Sequence, residues 1–429
     1  MFIDTSTTVI GGKFMSILVR RGLAAVLAAV LIAVTALVLP AAQAQPAAAQ
    51  TPNFYTPPAP LPAGRDGDIV KSENINYFGA STARRIMYLS RDVRNQPMAV
   101  TGTVLVPSTA WTGTGPRPIV AYAPFTAGMG DQCAPSKLIA GEVWGDLVTG
   151  VQTAFVNALL QKGIAVAQTD YQGMGTPGDH TYVIRLAQAH AVLDVIRAAQ
   201  RLPGIGLPTN GPVGIAGYSQ GGGASAAAAE LEPTYAPELD LKGAYVGAPP
   251  ADLAAMATSL DGSFYVGFLG FAVLGNNAAY PELNILGRTN ATGRAFLTEA
   301  NGTCTLDAVF RYGFRTSNTM TVDGRPIAAH MNEEPFRSVV ASNKLGTIRP
   351  MAPTVVESGV FDDVVPYAQA KQLGKDWCAQ GATVQWNDIL NFIPIFAHLF
   401  SGTTSATNAA NWLNQRFTGV PATSNCGLF

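Results

Sequence analysis

The 429-residue chain predicts an α/β fold, a mostly parallel sheet with helices on both faces and a largely helical insertion over one edge. Three observations predict it. From about Ile69, short apolar runs alternate with longer amphipathic stretches. Between Ala251 and Leu345 that rhythm stops, and afterwards it resumes. A hydrophobic content of 48% supplies enough apolar surface for a large core.

Taken in order, "RRIMYLSRD" and "MAVTGTVLVP" flank Asn95–Pro97 and read as a hairpin. "RPIVAYAP" (117–124) is a short buried strand. "WGDLVTGVQTAFVNALLQKG" has apolar residues at helical spacing and closes on Gly163. "IAVAQTDYQ" is the next strand, and "YVIRLAQAHAVLDVIRAAQRL" a long amphipathic helix. "PVGIAGYS", "QGGGASAAAAEL" and "LKGAYVGAP" give strand, helix and strand. After the interruption come "APTVVESGVFDDVVP", "AQAKQLGKDWCAQG", "ATVQWNDIL" and a last helix, "SATNAANWLNQRFTG". An insertion of this size before the penultimate strand reads as a cap over the sheet's carboxyl edge. The expected organisation is a signal peptide at 1–44, a Pro/Ala-rich leader at 45–68, a core at 69–250 and 346–429, and a cap (lid) at 251–345.

The amino end reads as a targeting segment. Arg20 and Arg21 lead into the apolar run Gly22–Leu39, and Ala42 and Ala44 suit cleavage before Gln45. A retained membrane anchor is the alternative, because the run is near spanning length. A net charge of −1 argues against nucleic acid or an acidic membrane surface as the main partner. No motif implies a metal or a cofactor, and no stable protein partner is implied. Export makes the four cysteines, Cys133, Cys304, Cys378 and Cys426, disulfide candidates. Their spacing fits no zinc pattern. Three pairings are open; the sequential one is preferred, and its second bridge would pin the carboxyl end.

Gly217-Tyr218-Ser219-Gln220-Gly221 is G-x-S-x-G directly after a strand and opening a helix, the context a nucleophile elbow requires. The turn forces a strained serine backbone, and side chains two positions either side would collide, so glycine stands there. The hydroxyl is then exposed at a helix amino terminus, where the dipole favours developing negative charge. A serine needs a base to take its proton, and the base needs an orienting carboxylate. In this kind of fold the chain order is Ser, acid, His. Of the four histidines, His180 and His190 precede Ser219 and His330 falls inside the cap. His398, in "IPIFAHLF" beyond the last strand, is left as the loop base. "ESGVFDDVVP" supplies the acid: Asp362 comes first in the loop and is favoured, Asp363 is expected to face solvent or cap the next helix, and Asp388 is a distant third.

The oxyanion formed on attack needs two backbone N–H donors. Gln220 is one candidate; the other is Phe125 or Thr126 in "PFTAGMGDQCAP", a loop without a His-Gly-Gly motif. Within the cap, "FYVGFLGFAVLG" (264–275) has almost no polar side chain. Phe264, Phe268 and Phe271 are candidate acyl-binding residues, with a plain buried cap helix as the compatible alternative. Asp170 and Asp179 read as loop scaffolding. Asn290-Ala-Thr292 and Asn301-Gly-Thr303 are sequons that matter only in a host that glycosylates.

Together "GYSQGG" (217–222), "DYQGMG" (170–175), "QCAPS" (132–136), "DDVVP" (362–366) and "AHL" (397–399) resemble the secretory lipase family, secreted α/β-hydrolases of fungi and actinobacteria. The resemblance spans most of the mature chain. It implies Ser219 as nucleophile, Asp362 as acid, His398 as base, sequential disulfides, and a lid where the cap is expected. It also implies hydrolysis of carboxylic esters, often triacylglycerols, at a lipid or ester substrate. The rival readings are a carboxylesterase or acyltransferase for shorter or polymeric esters, and a catalytically silent binding protein on the same scaffold.

Overall fold

Nine strands form one sheet in the order β1-β2-β3-β5-β4-β6-β7-β8-β9. The computed structural model describes residues 54–143 and 147–429; the expected signal peptide and the first part of the leader lie outside the described residues. Strands β1 (Ile69–Asn74), β2 (Ala80–Arg91) and β3 (Pro97–Pro107) are antiparallel. The predicted hairpin is β2–β3, with Asn95 in the left-handed conformation at its turn. From there β4 (Ile119–Ala123), β5 (Ala165–Thr169), β6 (Pro212–Tyr218), β7 (Asp240–Gly247), β8 (Thr354–Gly359) and β9 (Val384–Ile389) run parallel. Short, wholly apolar strands such as β4 are what a sheet buried on both faces requires.

Helices α1 (Leu147–Gln161), α2 (Arg185–Arg201) and α3 (Gln220–Tyr235) follow β4, β5 and β6. The chain between β7 and β8 is helical: α4 (Leu253–Leu260), α5 (Val266–Ala279), α6 (Ala291–Ala300), α7 (Thr305–Tyr312) and α8 (Phe336–Asn343). It returns to α9 (Tyr367–Ala379) and α10 (Ala397–Phe417) around β9. On one face Phe155 and Leu159 of α1 join Trp412 and Leu413 of α10 in a core with Val120 and Val166. On the other, Val192 and Ile196 of α2, Ala227 of α3 and Trp377 of α9 pack on Ile119, Ile215 and Val356. Cap side chains have a cluster of their own, from Phe268, Phe271, Phe296 and Tyr312, which reaches Tyr182 and Val365 of the core. The described residues form one compact unit that includes this insertion.

The last helix begins earlier than the sequence suggests. Its expected start is Ser405, yet Gly402, Thr403 and Thr404 lie in the second turn of α10. A Cβ on Gly402 would press against Val151 and Tyr218, so the glycine marks a close helix crossing rather than a break. His398 therefore stands on the first turn of a helix, and not on a loop. Asn290 is committed to capping α6: its carbonyl accepts from Gly293 N–H and its amide donates to the Thr319 and Thr321 carbonyls.

The cysteines pair as Cys133–Cys304 and Cys378–Cys426. The described part of the leader is tied down, with Phe54 buried, the Arg85 guanidinium over the Phe54 and Tyr55 rings, and the Tyr55 hydroxyl 2.7 Å from Ser136 Oγ. Among the described residues no helix is long and apolar enough to cross a membrane. Glu230, buried in α3, gathers Arg185 of α2 (2.5 Å), the Trp377 indole N–H of α9 (2.9 Å) and the Gly346 N–H where the chain leaves the insertion (2.6 Å). Glu230→Ala leaves these donors unpaired in the interior, and is expected to lower unfolding free energy in urea by about 3–5 kcal/mol.

Candidate active site

Parallel register brings the site together. In the β4–β6 ladder Ala123 pairs with Gly217, so two residues further on Phe125 arrives beside Ser219. β8 pairs with β9 through Gly359 and Ile389, which places the Asp362 loop and the approach to His398 at the same carboxyl edge. Ser219 has φ +57° and ψ −123°, a conformation that side-chain-bearing residues avoid. Its N–H donates to the Gly247 carbonyl (2.9 Å), and its own carbonyl accepts the Gly223 N–H (3.0 Å) to start α3. A Cβ on Gly217 would overlap the Gly221 carbonyl. One on Gly221 would overlap Ala123, and one on Gly222 would overlap Gly247. The three glycines thus let α3 lie against β6, β4 and β7 in turn.

His398 Nε2 lies 2.9 Å from Ser219 Oγ, and its Nδ1 lies 2.7 Å from Asp362 Oδ2. Ser219 is 8% exposed and His398 9%, so the pair is almost shut off from bulk water. Asp362 Oδ1 accepts the Val364 and Val365 N–H groups (3.0 and 2.7 Å), which fixes the carboxylate in its turn. Asp363 is half-buried and does not cap the following helix: its Oδ1 accepts the His398 backbone N–H at 2.9 Å. That contact has no signature in the sequence beyond the Asp-Asp doublet. Asp388 is exposed and engaged elsewhere, with the Tyr367 hydroxyl and the Trp386 indole. His190 approaches the Arg91 carbonyl and His330 pairs with Asp323 in the cap; neither reaches Ser219.

Two aromatic hydroxyls also shape the site. Tyr218 donates to the His398 carbonyl (2.7 Å) with its ring 4.9 Å from the imidazole. Burial, then the charge of Asp362, push its phenol well above the ordinary range, so it stays protonated. The Tyr182 hydroxyl meets Thr126 Oγ1 at 2.7 Å. Phe125 and Thr126 are both buried, and the Thr126 carbonyl accepts from Thr305 of the cap (2.6 Å). Their loop is fastened to the cap twice more, by Cys133–Cys304 and by the Met129 N–H to Thr303 carbonyl bond. Asp170 is a scaffold: it is fully buried and accepts from Thr101 Oγ1 and from both the N–H and hydroxyl of Ser136.

His180 carries a role that its position before Ser219 concealed. Its Nδ1 lies 2.9 Å from the Gln172 carbonyl, so Nδ1 bears the proton and Nε2 accepts the Gln220 side-chain amide at 3.0 Å. The residue whose N–H would face an oxyanion is thereby held by its side chain.

The cleft at Ser219 is small, about 30 Å³, and is lined by Gln220, Tyr182, Phe268 and Val365. A larger apolar cavity of about 130 Å³ lies inside the cap, among Val266, Leu269, Phe296, Leu297 and Ile327. Leu253, Met256, Leu260 and Ala272 border both. Of the three cap phenylalanines, Phe268 lines the cleft. Phe271 is wholly buried behind it, and Phe264 packs outward against Phe310 and Phe314.

A serine on a strained strand-to-helix turn of a parallel sheet, with a histidine and a carboxylate converging from later strands, defines the α/β-hydrolase class. The chain belongs to the secretory lipase family, whose model matches residues 142–425, and it is accordingly a carboxylic ester hydrolase. It is 26% identical over 423 residues to a secreted triacylglycerol lipase of Malassezia globosa, covering 94% of this chain and 88% of that one. It is 29% identical over 386 residues to a probable inactive lipase of Mycobacterium tuberculosis, covering 87% and 83%. Candida antarctica lipase A in its closed state superposes with a TM-score of 0.77 at 25% identity, covering 90% of this chain and 89% of that structure.

Burial lowers the His180 pKa to about 4, from an ordinary 6.5. Between those values the unfolded chain binds a proton that the folded one does not. Stability contributed above pH 6.5 is therefore lost as pH falls towards 4, by about 3 kcal/mol in full. Urea denaturation of the wild type and His180→Gln at pH 7 and pH 4 is expected to show the wild type losing its advantage by that order.

Proposed function

We propose that this protein is a secreted lipase that cleaves long-chain carboxylic esters through a Ser219–His398–Asp362 relay. The observation that carries the reading is a serine–imidazole–carboxylate chain at 2.9 and 2.7 Å, set beneath a cap that encloses an apolar cavity. Ser219 Oγ attacks the ester carbonyl as His398 Nε2 accepts its proton, and Asp362 holds the imidazole and stabilises the imidazolium. The tetrahedral oxyanion is received by the Gln220 N–H and by Thr126 or Phe125, in a loop braced by Tyr182 and the cap. His398 returns the proton to the departing alcohol. Water, deprotonated by the same histidine, then releases the acid from Ser219.

Long-chain specificity is supported by the cap. Each methylene withdrawn from water contributes about 0.8 kcal/mol, and Leu253, Met256, Leu260 and Ala272 line both the cleft at the reacting serine and the cap cavity. Exposed Phe361 and Phe392, their rings 5.0 Å apart, and exposed Leu390 add apolar surface on the loops after β8 and β9. Export is supported by the Arg20–Ala44 sequence, by two disulfides and by the family's secretory character. The competing reading, an esterase for shorter acyl groups, takes its support from the small volume beside Ser219.

Two measurements decide. Reaction with a fluorophosphonate probe is expected to label the wild type and not Ser219→Ala, whose kcat on a nitrophenyl ester falls by at least about 10⁴-fold. An unlabelled wild type would place this chain with catalytically silent proteins. For Met256→Trp, which fills the passage to the cap cavity, the laurate-to-butyrate ratio of kcat/KM is expected to fall at least about tenfold. An unchanged ratio would favour the short-chain reading.

A further inference from the structure

His398 is held by more than its ring. Its backbone N–H donates to Asp363 Oδ1 (2.9 Å) and its backbone carbonyl accepts from Tyr218 (2.7 Å). It sits in the first turn of α10, where N–H groups have no partner within the helix, and the residue at the cap position, Phe396, has no side chain that could accept one. Asp363, from the β8 loop, supplies both an acceptor and a negative charge at that terminus. Its other oxygen, Oδ2, faces the hydroxyl of Tyr265 at 3.2 Å, and Tyr265 belongs to the cap, immediately before α5. The same hydroxyl also contacts the Ile395 carbonyl, three residues before His398. Ile395 has φ +71°, a conformation a β-branched residue adopts only where its surroundings impose it. The Tyr265 ring stacks on Phe268, which lines the cleft at Ser219.

We infer that Asp363 is a positioning residue for the catalytic histidine, and that Tyr265 makes it the joint through which the cap sets His398 in register. This rests on the relay reading of Ser219, His398 and Asp362. Asp363 touches neither the imidazole nor the cleft; it acts on the main chain that carries the ring. A phenol has one proton to donate, and here it meets two acceptors, a carboxylate and a carbonyl. Any displacement of the cap residue redistributes that proton between the loop bearing the acid and the segment that leads into the base's helix. A misplacement of about 1 Å at a reacting group costs on the order of 10²-fold in rate, so a contact of this kind reaches the chemistry without touching substrate.

The test is kinetic, on a soluble short-chain nitrophenyl ester, with fluorophosphonate labelling in parallel. Asp363→Ala is expected to lower kcat about 10- to 100-fold with KM within about twofold, and to slow labelling by the same factor. Asp363→Asn is expected to recover most of the loss, because Oδ1 still accepts the His398 N–H while the amide N–H₂ donates to the Tyr265 oxygen. Tyr265→Phe is expected to lower kcat about threefold in the wild type and to cost nothing further in Asp363→Ala, since both act through one joint. A wild type that labels at Ser219 while Asp363→Ala keeps its kcat overturns the joint and leaves the relay standing. So does an Asn variant as slow as the Ala one, or full additivity of the Tyr265 and Asp363 changes. A wild type that takes no label overturns the relay itself. Should Asp363→Ala fail to fold, Asp363→Leu, which removes the acceptor at similar volume, takes its place in each comparison, and a Tyr265→Phe enzyme with wild-type kcat and labelling rate overturns the joint.

Discussion

Everything at this site depends on one backbone conformation, that of Ser219 at φ +57°. It ends β6 and begins α3 within a single residue, so the hydroxyl stands clear of both elements at the carboxyl edge of the sheet. The conformation is unfavourable for a residue with a side chain, and it persists because its surroundings over-determine it. The Ser219 N–H is fixed by the Gly247 carbonyl, and α3 is pressed against β4 and β7 wherever Gly221 and Gly222 remove a side chain. Little freedom remains for the serine to reorient, and the histidine and the acid are delivered to it.

Delivery is the work of the later strands and of main-chain contacts around them. Asp362 is fixed by two N–H groups of its own turn, and His398 by groups on its N–H and carbonyl as well as on its ring. The loop after β4 is stabilised differently, through Thr305, Thr303 and the Cys133–Cys304 bridge to the insertion. The insertion therefore does more than roof the cleft. It braces the loop that would face an oxyanion, and through Tyr265 it meets the loop that bears Asp362 and the segment that leads to His398. Cap and core share one apolar cluster, from Phe268 to Val365, which fits their forming one compact unit.

Much of this was legible in the chain. The alternation of apolar runs and amphipathic stretches gave β4 to β9 and the helices between them, because each burial periodicity leaves its own pattern. The glycine spacing around Ser219 announced the turn, since a steric exclusion is written directly in residue type. The chain order of serine, acid and histidine narrowed four histidines to His398. What escaped was of another kind. His180 looked unimportant because its partner, the side chain of Gln220, lies 40 residues away, and no local pattern encodes a bond of that sort. Asp362 was favoured for its place in the loop, but nothing about the doublet says that the second carboxyl turns towards the main chain of His398. The last helix reads from Ser405, eight residues late, because the close crossing that Gly402 permits over Val151 and Tyr218 is a tertiary contact.

By itself, then, the sequence determined the class of fold and the glycine-framed turn at Ser219, and singled out His398 and the Asp362 loop as candidates. These follow from local sterics and from burial periodicity, which act between near neighbours in the chain. Only the tertiary structure decided that Asp363 holds the His398 main chain, how Gln220 is held, which of the candidate cap phenylalanines reaches the cleft, and that the insertion meets Asp363 and Ile395. Those outcomes depend on strand register and on hydrogen bonds between residues tens to more than a hundred positions apart, whose geometry exists only once the sheet has closed.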